Sequence, residues 1–314
     1  MEQFNAVLNQ IIIFSIIIVI GYAVVKSKLL PSSVLPAITT LFSRVIVPFI
    51  LFVNTVNGAT RADMKNYIFL SGIYVCVYAV QIIAARTMPK VLRLKGNKAS
   101  LFSLSFTFGN VGFIGIPLLL SVFGQRVMIF VTMYAIVDQA LFWTYGYSLS
   151  YPVENKLKFS PKTLVNMINP PIIAVFISIV LILLDVKIPA ILDKTFTSMS
   201  NSGMALPFIY IGGMLATLDL KNIFKHFEFY VGIAVKMVIL PICLFIILKA
   251  IGLEQEIAVA SAFLFGLPTI TLVPMIAGAN GSDVEYSTSV VLVTTLASLF
   301  TLTFVSYITA MLNI

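Results

Sequence analysis

Two stretches decide how this chain folds: Gly109-Asn110-Val111-Gly112-Phe113-Ile114-Gly115-Ile116-Pro117 and Gly266-Leu267-Pro268-Thr269-Ile270-Thr271-Leu272-Val273-Pro274. Each lies inside an apolar run of about 20 residues, the length that crosses a bilayer as a helix. Each is also unfit to be an unbroken helix. Proline removes a backbone donor and clashes with the preceding turn, and glycine loosens the turn further. Lipid cannot satisfy the groups so freed, so the breaks belong against protein or a wet cavity. A broken helix brings half-helix ends into the membrane interior. Their amino ends carry partial positive charge and free N–H groups, which suit an anion.

The two stretches are written in register. Phe106, Phe108, Gly109, Pro117 and Gly124 recur as Phe263, Phe265, Gly266, Pro274 and Gly281, a shift of 157 in a chain of 314 residues. Pro48-Phe49-Ile50 returns as Pro207-Phe208-Ile209, and Lys28-Leu29-Leu30-Pro31 as Lys187-Ile188-Pro189. Between charged and Pro/Gly-bearing breaks the apolar runs fall at about 8–25, 35–56, 67–88, 99–122, 127–150, 168–185, 196–218, 229–250, 256–278 and 285–311. That predicts an all-α integral membrane protein of ten spans. Residues 1–150 form one five-helix repeat, 151–167 a polar linker and 168–314 a second repeat. Five is odd, so the second copy is inverted relative to the first, as in secondary transporters, and the broken spans 4 and 9 cross.

Composition agrees. Sixty per cent of the residues are hydrophobic and 10% charged, and mean hydropathy is +1.05. Soluble domains carry about 25% charge, so soluble enzymes, nucleic-acid binders and disordered proteins are set aside. The net charge of +8 reads as topology rather than nucleic-acid binding. Twelve Lys and Arg fall in one set of loops and six in the other, and the richer set belongs in the cytoplasm. The linker is then cytoplasmic, both termini are extracytoplasmic, and the plasma membrane is the expected location. The first apolar run follows no basic segment and outlasts a signal peptide, so it stays as a helix.

Cys76 and Cys243 sit in apolar runs, and His226 is the single histidine. No disulfide, metal site or cofactor is expected. Neither a phosphate-binding Gly-Lys-Ser/Thr loop nor an intramembrane catalytic constellation is present, which argues against ATP-driven transport by this chain and against an enzyme.

At Asn110-Val111-Gly112-Phe113-Ile114-Gly115-Ile116-Pro117-Leu118 and Leu267-Pro268 through Pro274, with Ser287-Thr288 after Asp283 and Glu285, the chain resembles the auxin efflux carrier (AEC) family. That family includes plant PIN auxin exporters and bacterial malate- or malonate-type permeases. The resemblance covers the whole chain. It implies two inverted repeats, crossed helices at the proline breaks, and a carboxylate held nearby. The family asparagine maps to Asn110 and its crossover prolines to Pro117 and Pro274. The long cytoplasmic loop of large plant members is missing, which favours a prokaryotic-type member. Thr269 and Thr271 stand where plant exporters tend to carry an amide and a glycine, so the substrate does not transfer.

The expected binding set is Asn110, Gly112, Pro117, Gly266, Pro268, Thr269, Thr271 and Pro274. Three ionisable residues fall inside spans: Arg44, Asp138 and Lys236. Each costs about 2.5–3.5 kcal/mol facing lipid at a helix centre, so each should face protein or water. Asp138, with Gln139 beside it, is the candidate for proton or ion coupling. Lys236 is expected to snorkel to the cytoplasmic side, with attraction of an anion as the alternative. Arg44 should meet an acid or a vestibule. Asn54 and Gln81 read as helix–helix glue, His226 as a solvated loop residue, and Trp143, Tyr145, Tyr147 and Tyr151 as an interfacial belt. The expected function is alternating-access transport of a small organic anion, driven by membrane potential or by H⁺ or Na⁺. A sodium-coupled bile-acid-type symporter and a passive anion channel remain the alternatives. The expected partners are the substrate and the bilayer, with a homodimer left open.

Overall fold

The computed structural model describes residues 2–58, 60–153, 170–203, 205–217 and 223–312. Most of the 151–167 linker, including Glu154, Lys156, Lys158 and Lys162, therefore lies outside the described residues.

The described chain is all helical. In order it runs α1 (Glu2–Lys26), α2 (Leu35–Leu41, continued through a wide turn at Phe42–Ile46 into Val47–Gly58), α3 (Arg61–Val91), α4 (Gly96–Thr107) and α5 (Val111–Phe123). Then come α6 (Gln125–Leu149), α7 (Pro170–Leu183), α8 (Ala190–Ser202), α9 (Leu206–Thr217), α10 (Phe227–Ala250), α11 (Gln255–Gly266), α12 (Leu272–Ala279) and α13 (Val284–Met311). α1, α3, α6, α10 and α13 are long and apolar enough to cross a membrane. The other apolar helices are shorter among the described residues, and in α2, α4–α5 and α11–α12 a widened turn, glycine or proline interrupts the run.

Local chemistry explains several boundaries. Thr60 and Asp63 form a reciprocal capping box, 2.8 Å on one side and 3.2 Å on the other, so α3 starts at Arg61, a turn and a half before its apolar run. Asp283 caps α13 by accepting from Tyr286 N at 2.9 Å. The region read as one span at 196–218 is two helices. α8 comes first and is amphipathic, and α9 follows beyond Gly203.

α1, α2, α7, α8 and α9 pack mainly on one another, and α3, α4, α6, α10, α11, α12 and α13 pack mainly on one another. In the first group α1 and α9 touch backbone to backbone. A Cβ on Gly212 would stand 2.0 Å from Ile18 O, and one on Gly21 2.4 Å from Ile209 O. Only glycine permits that approach. The second group holds the buried aromatic core, with Tyr74, Tyr78, Tyr134, Phe106, Phe108 and Phe265 all inaccessible or nearly so. The groups meet along α2 and α6, where Thr55 and Thr132 share a 2.9 Å hydrogen bond, and along α1, α5 and α13.

Candidate substrate site at the paired helix breaks

α4 ends at Thr107 and α5 begins at Val111; α11 ends at Gly266 and α12 begins at Leu272. The two interruptions lie against each other. Gly109 and Thr269 form an isolated antiparallel bridge. Asn110 N donates to Pro268 O at 2.8 Å, and Ile270 N to Phe108 O at 3.4 Å. Each break thus supplies partners that the other's helix has lost, which answers the demand that no backbone group be orphaned inside a membrane. Small residues let the breaks close. A Cβ on Gly109 would meet Leu267 Cβ at 3.0 Å, and one on Gly115 would meet Leu267 Cδ1 at 2.7 Å.

Side chains finish the junction. Thr269 Oγ1 donates to Ser105 O at 2.9 Å, and Thr269 N donates to Thr294 Oγ1 on α13 at 3.2 Å. Lys236 Nζ donates to Phe108 O at 3.1 Å. A cation there meets the negative end of α4. Lys236 is 1% exposed, so it does not snorkel as expected. The widened turn Ile233–Ile239 carries it inward, and Phe108 O takes the place of a water at its ammonium.

Asn110 is the N-cap of α5: its Oδ1 accepts from Phe113 N at 3.3 Å. Its Nδ2 is buried and has no partner among the described residues. The same holds for Thr271 Oγ1, Ser105 Oγ, Thr295 Oγ1 and Gln81 Oε1. Buried polar groups are normally satisfied, so open ones call for an explanation; Ser282 Oγ and Thr301 Oγ1, away from the breaks, are open as well. Just beyond Asn110, the first turn of α5 packs on α2 and α9. Phe113 packs on Phe42 at 4.3 Å and on Tyr210 at 6.3 Å, and a Cβ on Gly112 would lie 3.5 Å from Val47. The asparagine therefore stands near the seam between the two helix groups.

Asp138 lies deeper in the second group. Tyr78 OH donates to its Oδ1 at 2.5 Å, and Gln139 Nε2 to its Oδ2 at 2.9 Å. Tyr134 shares a 2.6 Å hydroxyl contact with Tyr78. A phenol has one proton, so when Tyr78 gives its proton to the carboxylate, Tyr134 must donate to Tyr78. Trp143 Nε1 continues the chain to Gln139 Oε1 at 3.3 Å. Phe265, beside the second break, packs on Tyr78 and Tyr134 at 5.1 and 5.0 Å. Asp138 and Lys236 act on each other through space. No ion pair joins Asp138 to Lys236 or Arg44 among the described residues.

The remaining expected residues are placed as follows. Pro268 is buried next to the bridge, Pro117 is buried within α5, Gly266 packs against Pro241, and Pro274 is half-buried in α12. Arg44 is exposed on the outer surface of α2, and no ion pair to it is found among the described residues. Asn54 bonds Ile50 O of its own helix at 2.8 Å and so is not glue between helices. Gln81 reaches Phe106 O at 3.5 Å. His226 is not freely solvated: it pairs with Glu228 at 3.0 Å and packs on Phe229 and Tyr286. A groove of about 450 Å³ between α1 and α13, lined by residues such as Ile11, Ser15, Phe300 and Thr303, does not touch the breaks.

Tyr78, Tyr134, Ser105 and Thr294 are site residues that sequence reasoning missed. Tyr74, Tyr78, Gln81 and Ala85 lie on one buried stripe of α3, and polar members in such a stripe were the available signal.

The long apolar helices mark a multi-pass membrane protein, and likeness to known proteins makes it a transporter. The chain belongs to the membrane transport protein family, the auxin efflux carrier family, whose profile matches residues 6–166 and 160–306. It is similar to an uncharacterized transporter, MJ1031, of Methanocaldococcus jannaschii, with 22% identity over 303 residues that cover 93% of this chain and 95% of the relative.

Proposed function

We propose that this protein is a secondary carrier that moves a small organic anion, a carboxylate, by alternating access. The observation that carries this is the buried, unpartnered Asn110 Nδ2 at the amino end of α5. There a hydrogen-bond donor and the positive end of a helix coincide. In this reading α4–α5 and α11–α12 are the crossed spans 4 and 9, ten spans form two inverted repeats over 1–150 and 168–314, and both termini face outside the plasma membrane. The seam beside Asn110 supports movement of the group bearing the breaks against α1, α2 and α9. Substrate would be held by Asn110 and backbone near Gly112, and Thr271, across the Gly109–Thr269 bridge, would meet it through water while the seam opens to either side.

Asp138 is the coupling group in this mechanism. Its bonds to Tyr78 and Gln139 give it a proton-exchange environment within reach of the breaks, while direct contact with substrate is left to Asn110. The test is uptake by purified protein in proteoliposomes across a carboxylate panel. Saturable uptake with counterflow is expected. Asn110→Ala should abolish it and Asn54→Ala should not. Non-saturating flux would make the protein a channel, and loss only in Asn54→Ala would move the site. In Asp138→Asn, an inward proton gradient should no longer drive accumulation, though exchange continues. An unchanged response to the gradient removes the coupling role.

A further inference from the structure

The sign and size of the substrate's charge are written in the buried charges around the breaks. Among the described residues, two acidic or basic side chains are buried in the interior: Asp138, 2% exposed, and Lys236, 1% exposed. Their formal charges cancel. They cancel with Asp138 ionised, and equally if the proton of Lys236 passes to Asp138; a coupling proton taken up by Asp138 from outside leaves one net positive charge, enough for one anionic group and no more. Arg44, the third charge within a span, is exposed on α2 and adds no buried cation. Lys236 is already committed, since its ammonium meets Phe108 O at the carboxyl end of α4.

What remains for an anion near Asn110 is one open amide donor and one helix amino end, α5, worth about half a positive charge. The other amino end, that of α12, starts beyond Thr271. It lies on the far side of the Gly109–Thr269 bridge, because in an antiparallel pairing residues after 109 and after 269 run apart. One short molecule does not lay a carboxylate on each. The cost of burying a charge grows with the square of that charge in a low-dielectric interior. A dianion would bring two negative charges to a place equipped for one.

We infer that the site takes monovalent anions, a single carboxylate on an otherwise uncharged body, and discriminates against dicarboxylates of the same length. This rests on the anion-carrier reading above and sharpens it.

The experiment measures equilibrium binding to the purified full chain at pH 8, where both groups of a diacid are ionised. It uses matched pairs of equal carbon number, butyrate with succinate and propionate with malonate. Wild type should prefer the monoanion by about tenfold or more. Asp138→Asn raises the fixed interior charge by one and should narrow that preference by about tenfold, while Lys236→Met should weaken both partners of each pair. A merely structural role for Asp138 would change folding without moving the ratio, so thermal stability is recorded for each variant. Equal or tighter binding of the dianion by wild type overturns the inference, as does a ratio unmoved in a folded Asp138→Asn. If no carboxylate of either valence binds or is carried, the carrier reading falls and takes this one with it. Tight dianion binding leaves the carrier reading standing and removes only the monovalent one.

Discussion

The two helix breaks stand at matching places in the two halves of the chain, and they are built from different residues. The first, Phe108-Gly109-Asn110, is opened by glycine, capped by an asparagine and steadied by a lysine from α10. The second, Leu267-Pro268-Thr269-Ile270, is opened by proline and held by a threonine that bonds to α4 with its hydroxyl and to α13 with its backbone N–H. In the second break the central polar side chain is consumed by the fold. In the first, half of the central side chain is left over. Sharing a backbone solution therefore does not mean sharing a task. The Thr269 side locks the junction, and the Asn110 side presents an open donor.

The largest effect that tests this division is expected at Asn110. Replacing it with Ala removes the open Nδ2 and the cap to Phe113 N together. A hydrogen bond to a charged group contributes about 1.5–3 kcal/mol, so substrate affinity should fall about ten- to a hundredfold in a binding assay. If Asn110→Ala binds like wild type while Thr269→Val does not, the roles of the two breaks are reversed.

At Thr269 the loss should appear in stability. Valine fills the same volume but cannot donate to Ser105 O, a buried carbonyl. About 1–3 kcal/mol is expected for leaving such a group unmet, seen as a lower melting temperature in detergent with affinity per folded molecule retained. Gly266→Ala belongs to the same class. The new Cβ would stand 2.9 Å from Pro241 Cγ, a ring that cannot swing aside. Overpacking of this kind costs about 1–3 kcal/mol, again as a shift in melting temperature. If either variant instead lost binding at unchanged stability, the second break would be a ligand wall rather than a lock.

The breaks were legible in the sequence because glycine and proline act on their own backbone, and the spacing of 157 residues marked them as a pair. Their partners were not legible. Lys236 lies about two and a half turns into α10, near enough to the helix end for a lysine's long side chain to reach water, and the arrival of Phe108 O from 128 residues away makes burial tolerable. Tyr78 and Tyr134 read as apolar span residues until α3 and α6 bring them to Asp138. The start of α3 shows the converse. The Thr60–Asp63 capping box was present in the sequence, but a hydropathy threshold looks past a polar first turn. Local chemistry could be read residue by residue, whereas the pairing of distant polar groups had to wait for the packing.

The smallest expected effect is at Thr271, and it separates an open polar atom from a merely buried one. Thr271 Oγ1 has no partner among the described residues, although the side chain is 1% exposed. A hydroxyl that serves only the fold should be bonded, since burying it alone costs about 1–3 kcal/mol. Thr271→Val keeps the shape and removes that cost, so the ligand-free protein should melt at the same temperature or slightly higher. If the hydroxyl waits for substrate or for water that accompanies it, affinity should fall a few-fold, in line with a neutral hydrogen bond of about 1 kcal/mol. Stability gained with affinity unchanged would assign the open hydroxyl to packing. The donor side of the site would then shrink to Asn110 and the first turn of α5.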